Sequence, residues 1–353
     1  MNLYDSKLWT TDLDASLASF ADLKELSGKS VLITGSTGLI CSAVTDLLLR
    51  WNETHEEKIH VWAAGRDAEK IHRRFSKYVK EHWFHSALYD ATSERVSFRC
   101  ACDYIIHGAG NASPNKILRE PVETMLSNIL GLKNLLDFAR DNSVRRVLYI
   151  SSSEVYGKKE NANPYRPGEY GYIDLLNSRN SYSIGKRAGE TLCVSYGDEY
   201  GVDSVIVRPG HIYGPTASES DNRVSSMWAY AGVRGEDIVM KSDGSQIRSY
   251  CYCLDCATAI LRVLLSGESG QAYNISNPDS VVSIKEMAKL FSESAGVALR
   301  MEQPSEEEKK AFNPMSNSSL DGSLLYELGW KGSFEAPRGV DHTIKILREC
   351  INS

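Results

Sequence analysis

The run Lys29-Ser30-Val31-Leu32-Ile33-Thr34 passes directly into Gly35-Ser36-Thr37-Gly38-Leu39-Ile40-Cys41, and a helical pattern follows from Ser42 to Trp51. A short apolar strand, a glycine turn and a helix, in that order, leave few folds open. Gly35 permits the tight turn. Gly38 lets the backbone approach a pyrophosphate, whose charge would then face the N-terminus of the helix. Cys41 stands where a third glycine is common, and a side chain that small still allows helix and strand to pack.

The same alternation continues. Ile59–Ala64 reads as a second strand, ending in Gly65-Arg66-Asp67. A carboxylate at such a strand tip binds the ribose 2′-hydroxyl of NAD, whereas an arginine suits the 2′-phosphate of NADP. Arg66 at the tip favours NADP(H); NAD(H) is the alternative. Asp90 and Ala91 would lie near the adenine if Leu88-Tyr89 closes a third strand. Asp103–His107 is a fourth strand, opening into the small-residue loop Gly108-Ala109-Gly110-Asn111-Ala112-Ser113-Pro114, which can lie along the cofactor. A long helix from about Pro121 to Asp141 carries Asn128, and Val147–Ile150 leads into a serine run. Strands alternating with helices imply an α/β fold with a doubly wound parallel sheet of the Rossmann type, whose ligands sit at the carboxyl ends of the strands.

The serine run is Ser151-Ser152-Ser153-Glu154-Val155-Tyr156-Gly157, and after a polar loop comes Asn180-Ser181-Tyr182-Ser183-Ile184-Gly185-Lys186-Arg187. Tyr182 and Lys186 share one face of a helix. A nearby ammonium lowers a phenol's pKa, which suits a general acid/base for a hydroxyl or carbonyl. A serine hydroxyl at the strand end could hold the same oxygen. The helix should run to about Tyr200, and Val205–Arg208 is a further strand before Pro209-Gly210-His211-Ile212-Tyr213-Gly214-Pro215.

Residues 1–28 read as an amphipathic helical extension anchored by Leu3, Leu8, Leu13, Leu17, Phe20 and Leu23, without visible chemistry of its own. Residues 29–215 form the dinucleotide-binding unit. Residues 216–353 form mainly a smaller, partly interleaved substrate region, with some elements returning to the core. A net charge of −6 argues against a nucleic-acid partner. No apolar run reaches the roughly 20 residues of a membrane span, and Met1-Asn2-Leu3-Tyr4-Asp5-Ser6 lacks the features of a signal peptide. A cytoplasmic protein with reduced cysteines is therefore expected. Cys251, Cys253 and Cys256 lie close together, but no second ligand pair stands at zinc spacing, so no metal is expected.

Together these residues resemble the extended short-chain dehydrogenase/reductases of the nucleotide-sugar epimerase/dehydratase type, over about residues 29–340. The resemblance is carried by Thr34-Gly35-x-x-Gly38, His107-Gly108-Ala109, Ser151–Gly157, Tyr182-x-x-x-Lys186, Arg208-Pro209 and Tyr213-Gly214-Pro215. Arg179-Asn180-Ser181-Tyr182, Gly185-Lys186-Arg187, Asn222-Arg223-Val224 and Asp243–Ser249 are similar to the UDP-glucuronate decarboxylase branch.

The resemblance implies roles. Tyr182 would be the acid/base. Lys186 would bind the nicotinamide ribose and lower the tyrosine pKa. Ser152 would bond the reacting oxygen, with Ser153 and Glu154 facing the sugar. Gly35, Ser36, Thr37, Gly38, Leu39, Ile40, Arg66, Asp90, Ala91, Gly108, Ala109, Gly110, Asn128, Pro209, Gly210 and Ile212 would hold the cofactor. Asn111, Ser113, Glu154, Arg179, His211, Arg223 and Arg248 would hold a nucleotide-diphosphate sugar, the two last arginines binding its diphosphate or another anion. A homodimer built by pairing the two long helices of each chain is also implied.

Two departures stand out. The decarboxylase branch usually has asparagine where His211 stands, and an acidic strand tip where Arg66 stands. Arg66 therefore points to an NADP(H)-dependent reductase of a nucleotide-activated keto sugar, such as a CDP-linked ketose becoming a polyol. Glu154, able to move a second proton, points instead to an NAD-recycling epimerase, 4,6-dehydratase or UDP-glucuronate decarboxylase. A non-catalytic NADP(H) sensor is disfavoured by the intact Ser152, Tyr182 and Lys186.

Overall fold

The computed structural model describes residues 2–94, 98, 101–305 and 316–352. After α1 (Lys7–Ala18) come β1 (Ser30–Thr34), α2 (Leu39–Thr54), β2 (His60–Gly65), α3 (Ala68–Arg74), β3 (Phe84–Leu88), β4 (Tyr104–His107), α4 (Pro114–Arg119), α5 (Pro121–Asp141), β5 (Arg146–Ile150), α6 (Ser181–Tyr200) and β6 (Ser204–Pro209). The rest comprises β7 (His211–Tyr213), α7 (Val224–Val233), β8 (Ile238–Met240), β9 (Ile247–Tyr252), α8 (Cys253–Ser266), β10 (Ala272–Ile275), β11 (Val281–Ser283), α9 (Ile284–Ala295), β12 (Leu299–Met301), β13 (Asn317–Ser318), α10 (Ser323–Glu327) and α11 (Ala336–Asn352).

The central sheet has seven strands in the order β10-β6-β5-β4-β1-β2-β3. Every pairing in it is parallel. Parallel strands need helical crossovers, and those helices cover both faces. Successive side chains of a strand point to opposite faces. Accordingly Val31 and Ile33 of β1 enter one core with Leu47 and Leu48 of α2 and Ile260 and Val263 of α8. Leu32, between them, enters a second core with Leu132 and Leu135 of α5 and Cys193 of α6. Chain order reverses between β1 and β4, the two strands that leave the centre in opposite directions. A crevice opens there at the carboxyl ends of the strands.

Beyond β6 the chain builds a second small sheet on β9, which pairs with β7, β11 and β13. It then returns to the central sheet through β10. The stretch 216–250 and 275–340, richer in polar residues, thus contains ordered elements; its residues 306–315 lie outside the described residues. The N-terminal segment packs into the first core through Leu3, Trp9, Leu13, Phe20 and Leu23. Asp12 of α1 is fully buried, accepting from Tyr252 OH at 3.1 Å and lying 2.8 Å from Nδ1 of His342 on α11. Ser6 Oγ donates to Glu349 at 2.6 Å.

Among the described residues no helix is long and apolar enough to cross a membrane. Nor do three or more His, Cys, Asp or Glu side chains converge to hold a metal ion. Cys251, Cys253 and Cys256 are buried in β9 and α8, and burial pushes all three thiols up.

Candidate active site

The turn after β1 is shaped by what it must not carry. Gly35 has φ +69°, and a Cβ there would sit 2.9 Å from Ala109 N and from Gly108. The β1 turn and the β4 loop therefore meet backbone to backbone. Gly38 N–H donates to Gly35 O at 2.9 Å, and Gly38 caps α2 with no side-chain acceptor for its first N–H groups. Ser36 Oγ is buried without a hydrogen-bond partner among the described residues. A bare helix N-terminus, a glycine cradle and an orphaned hydroxyl fit a dinucleotide pyrophosphate. Cys41, at the third glycine position, is accommodated by its neighbour. A Cβ on Gly108 would lie 2.3 Å from Cys41 Sγ, so the glycine of the second loop makes room for the thiol of the first helix.

Around this turn, Thr37 and Ile40 are half-buried and Leu39 is buried, with Leu39 O accepting from Thr216 Oγ1 at 2.8 Å. Arg66 is exposed at the end of β2. Asp67 caps α3, its carboxylate accepting from Lys70 N at 2.9 Å. Asp90 accepts from Thr92 N and Oγ1. The backbone bond above all, with some help from the Arg66 charge, holds its carboxyl below the usual range against burial. Ala91 lies against α5, where a Cβ on Gly131 would approach it to 2.7 Å. Gly110 is exposed. Asn111 donates to Glu120 at 3.4 Å, and Ser113 to Asn222 at 2.8 Å. Asn128 is fully buried and faces inward, donating to Thr124 O at 2.7 Å. Pro209 ends β6. Gly210 is pressed so close to β9 that a Cβ would lie 2.5 Å from Ser249 O, and Ile212 is buried in β7.

Ser152 follows β5 and its hydroxyl accepts from Glu154 N at 3.2 Å; it also bonds the Tyr182 phenol. Ser153 is buried beside it. Lys186 donates from Nζ to Ile150 O at 2.6 Å and lies 5.8 Å from the Tyr182 ring centroid. Burial pushes the Tyr182 pKa up to about 12; the Ser152 bond opposes this, as do the charges of Arg223 and Arg179, while Glu154 adds to it. This corrects the expectation that Lys186 lowers it. The lysine is aimed at a backbone carbonyl, and burial outweighs any cation effect on the phenol. Lys186 itself is pushed down to about 8 by burial, with Glu190 opposing.

Glu154 lies at the same wall. Arg179 reaches it at 3.3 and 3.5 Å, and Ser183 Oγ donates to it at 3.1 Å. On the other side, His211 is half-buried with its Nδ1 shielded and without a hydrogen-bond partner among the described residues. Arg223 is held by Asp221, its Nε 3.0 Å from both carboxylate oxygens. Arg248, 2% exposed, donates to Ile247 O at 2.9 Å and has no ion pair among the described residues.

One group central to this arrangement was not anticipated. Glu190, one helical turn beyond Lys186, accepts from Ser151 Oγ at 2.5 Å and pairs bidentately with Arg208 at 2.9 and 2.6 Å. Arg208 also donates to Tyr156 OH, Pro167 O and Tyr170 OH. The pair joins β5, α6, β6 and the loop before Tyr182. The available signal was an acid four residues after Lys186, on the same buried helix face.

His107 and His211 are both pushed down to about 3, chiefly by burial. Unfolded histidine titrates near 6.5. Between those values the unfolded chain binds protons that the native chain refuses, so stability falls as pH falls. Each histidine is expected to remove up to about 1.4 kcal/mol per pH unit from roughly pH 6.5 downward. Urea unfolding at pH 5 and 7 measures this. Equal midpoints would mean that the rings are not buried and neutral.

A seven-stranded parallel sheet with a glycine cradle and a Ser–Tyr–Lys cluster defines a short-chain dehydrogenase/reductase type of enzyme. The sequence profile of the NAD dependent epimerase/dehydratase family matches residues 31–276. The chain belongs to that family. Among its relatives, UDP-glucuronic acid decarboxylase 1 of Xenopus tropicalis is 27% identical, over 93% of this chain and 74% of that protein. UDP-glucuronic acid decarboxylase 6 of Arabidopsis thaliana is 28% identical, over 89% of this chain and 87% of that protein. The fold matches UDP-glucose 4-epimerase of Thermotoga maritima with a TM-score of 0.77 at 22% identity, covering 91% of this chain and 99% of that one. UDP-glucuronic acid 4-epimerase of Bacillus cereus, solved with UDP-glucuronic acid and NAD, gives 0.74 at 18% identity, over 91% and 99%.

Proposed function

We propose that this enzyme converts a nucleotide-diphosphate sugar by an internal redox cycle, as an epimerase, 4,6-dehydratase or decarboxylase, rather than by net reduction. The observation that carries this reading is Glu154. A carboxylate anchored by Arg179 and Ser183, whose charge is felt at the Tyr182 phenol, provides a second proton-handling group at the same wall. A simple keto-sugar reductase needs one proton donor; a reaction that oxidises, rearranges and reduces needs more. The decarboxylase relatives fit this class better than a reductase.

The cradle of Gly35, Ser36 and Gly38 would hold the pyrophosphate of a nicotinamide dinucleotide, which when bound accepts and returns hydride. The chain's own residues do the remaining work. Tyr182 moves the proton of a sugar hydroxyl, Ser152 holds that oxygen, and Lys186 anchors the nicotinamide ribose. Glu154 handles the second proton. Arg248, with Arg223, binds the diphosphate. In this reading residues 29–215 serve cofactor and catalysis and 216–353 mainly substrate, in the reducing cytoplasm that suits the buried thiols. Incubation with UDP-glucuronic acid, UDP-glucose and dTDP-glucose tests it. Conversion of a sugar without net cofactor consumption is expected; stoichiometric oxidation of NADPH would replace this reading with the reductase.

Arg66 supports a second reading on the cofactor, NADP(H) in preference to NAD(H). It is exposed at the β2 tip, and Asp67 is occupied as a helix cap. A charge-assisted bond to a 2′-phosphate contributes about 1.5–3 kcal/mol, roughly ten- to a hundred-fold in affinity. Arg66→Ala is therefore expected to weaken NADPH binding by that factor and NADH little. Equal wild-type affinity for both cofactors would remove the preference.

A homodimer is proposed on the exposed apolar residues Val122 and Leu126 of α5 and Val194 of α6. The mass of a single chain in micromolar solution would count against it.

A further inference from the structure

We infer that Ser151 and Glu190 are positioning residues for the proposed reaction: the bond between them locks the end of β5 to α6, so that Ser152 and Tyr182 meet the same sugar oxygen. The inference rests on the nucleotide-sugar reading above and deepens it.

Tyr182, Lys186 and Glu190 stand four residues apart and so share one face of α6. All three are buried. Each meets a different residue at the end of β5. The Tyr182 phenol bonds the Ser152 hydroxyl. Lys186 Nζ donates to Ile150 O at 2.6 Å. Ser151 Oγ donates to Glu190 Oε1 at 2.5 Å. Three successive turns of one helix therefore hold three successive residues of one strand end. The first two contacts are made by side chains that the reaction uses. The third joins two side chains that it does not.

That third contact is held from both sides. Ser151 is buried, and its N–H donates to Val207 O at 2.8 Å inside the central sheet. Glu190 is fixed by Arg208, whose Nε donates to the same Oε1 at 2.9 Å and whose Nη2 donates to Oε2 at 2.6 Å. Arg208 lies on β6, the strand beside β5. A hydroxyl donating to a carboxylate makes a shorter bond than a neutral pair, and one roughly twice as strong. Ser152 follows directly in extended backbone, at φ −159° and ψ 153°, so a shift of Ser151 is passed on to the next hydroxyl. Ser152 and Tyr182 approach one oxygen from two different elements. Their separation depends on how β5 is seated on α6, and the Ile150 and Ser151 contacts set that seating. Glu190 also opposes the burial that lowers the Lys186 pKa, so the same carboxylate steadies the cation one turn away. A misplacement of about 1 Å can cost on the order of 10²-fold in rate.

The test measures kcat, KM, NADH and NADPH affinity and urea stability for the full-length wild type and Ser151→Ala. The substrate is whichever of UDP-glucuronic acid, UDP-glucose and dTDP-glucose the wild type converts. Ser151→Ala keeps the Glu190–Arg208 pair and loses only the bond to the strand end. Its kcat is expected to fall by about 10- to 100-fold, with KM and dinucleotide affinity within about threefold of wild type. Glu190→Leu combined with Arg208→Met removes the acceptor without stranding a charge. Adding Ser151→Ala to that pair is expected to lower kcat no further, because the bond is already gone. An unchanged kcat in Ser151→Ala, whether or not the urea midpoint drops, makes the bond merely structural. That result overturns the inference and leaves the nucleotide-sugar reading standing. A full further loss in the triple variant places the effect of Ser151 outside Glu190 and overturns it as well. Conversion of none of the three sugars by wild type overturns the inference and the reading together.

Discussion

Tyr182→Phe is expected to lower turnover by about 10²–10⁴-fold, the range in which a positioned general acid/base contributes. The substitution removes one hydroxyl and keeps the ring, so the Lys186 side chain keeps its contact with the ring and its bond to Ile150 O. Cofactor affinity should therefore stay near wild type. The reason for expecting a large effect is the buried phenol itself. With its pKa pushed up to about 12, Tyr182 is protonated at neutral pH in the free protein, and under the proposed function it must lose that proton before it accepts one from a sugar hydroxyl. Turnover within a few-fold of wild type, measured together with dinucleotide affinity, would remove Tyr182 from this role.

Glu190→Gln is expected to destabilise the fold by about 3–5 kcal/mol, the usual cost of stranding one member of a buried ion pair. Arg208 is 2% exposed and spans Glu190, Tyr156, Tyr170 and Pro167 O. Without the carboxylate its charge has no counter-ion within that cluster. Urea denaturation reads the loss directly. Glu190→Leu combined with Arg208→Met removes both charges and is expected to recover most of it. A loss under about 1 kcal/mol for the single change would show that the pair does not hold these elements together.

The β1 turn and the long helices were legible because their determinants are local. Pro121 at the first position of α5 marks its start, and the helix runs to Asp141 as its pattern implies. The start of α2 was misplaced by three residues, at Ser42 instead of Leu39, because Gly38 caps it without any side-chain signature. The Tyr182–Lys186 spacing was legible, but its electrostatic meaning was not. Whether the phenol is raised or lowered depends on burial and on where Nζ points, and neither is written in an i, i+4 interval. The fate of Cys41 depended on Gly108, 67 positions away, whose missing side chain makes its room. Likewise Arg208 could be placed in a strand, while its partner Glu190 on α6 could not be assigned, since long-range pairing leaves no periodic trace.

The bonds from Ser6 to Glu349 and from Asp12 to His342 join residues 343 and 330 positions apart. On a ribosome adding about 5–20 residues per second, the earlier partner waits roughly 15–70 s for the later one. During that interval the core that buries Trp9, Leu13 and Phe20 lacks Val340, Ile344 and Leu347 of α11. Until synthesis reaches the C-terminal helix, the earlier segment goes without the two bonds that tie it there.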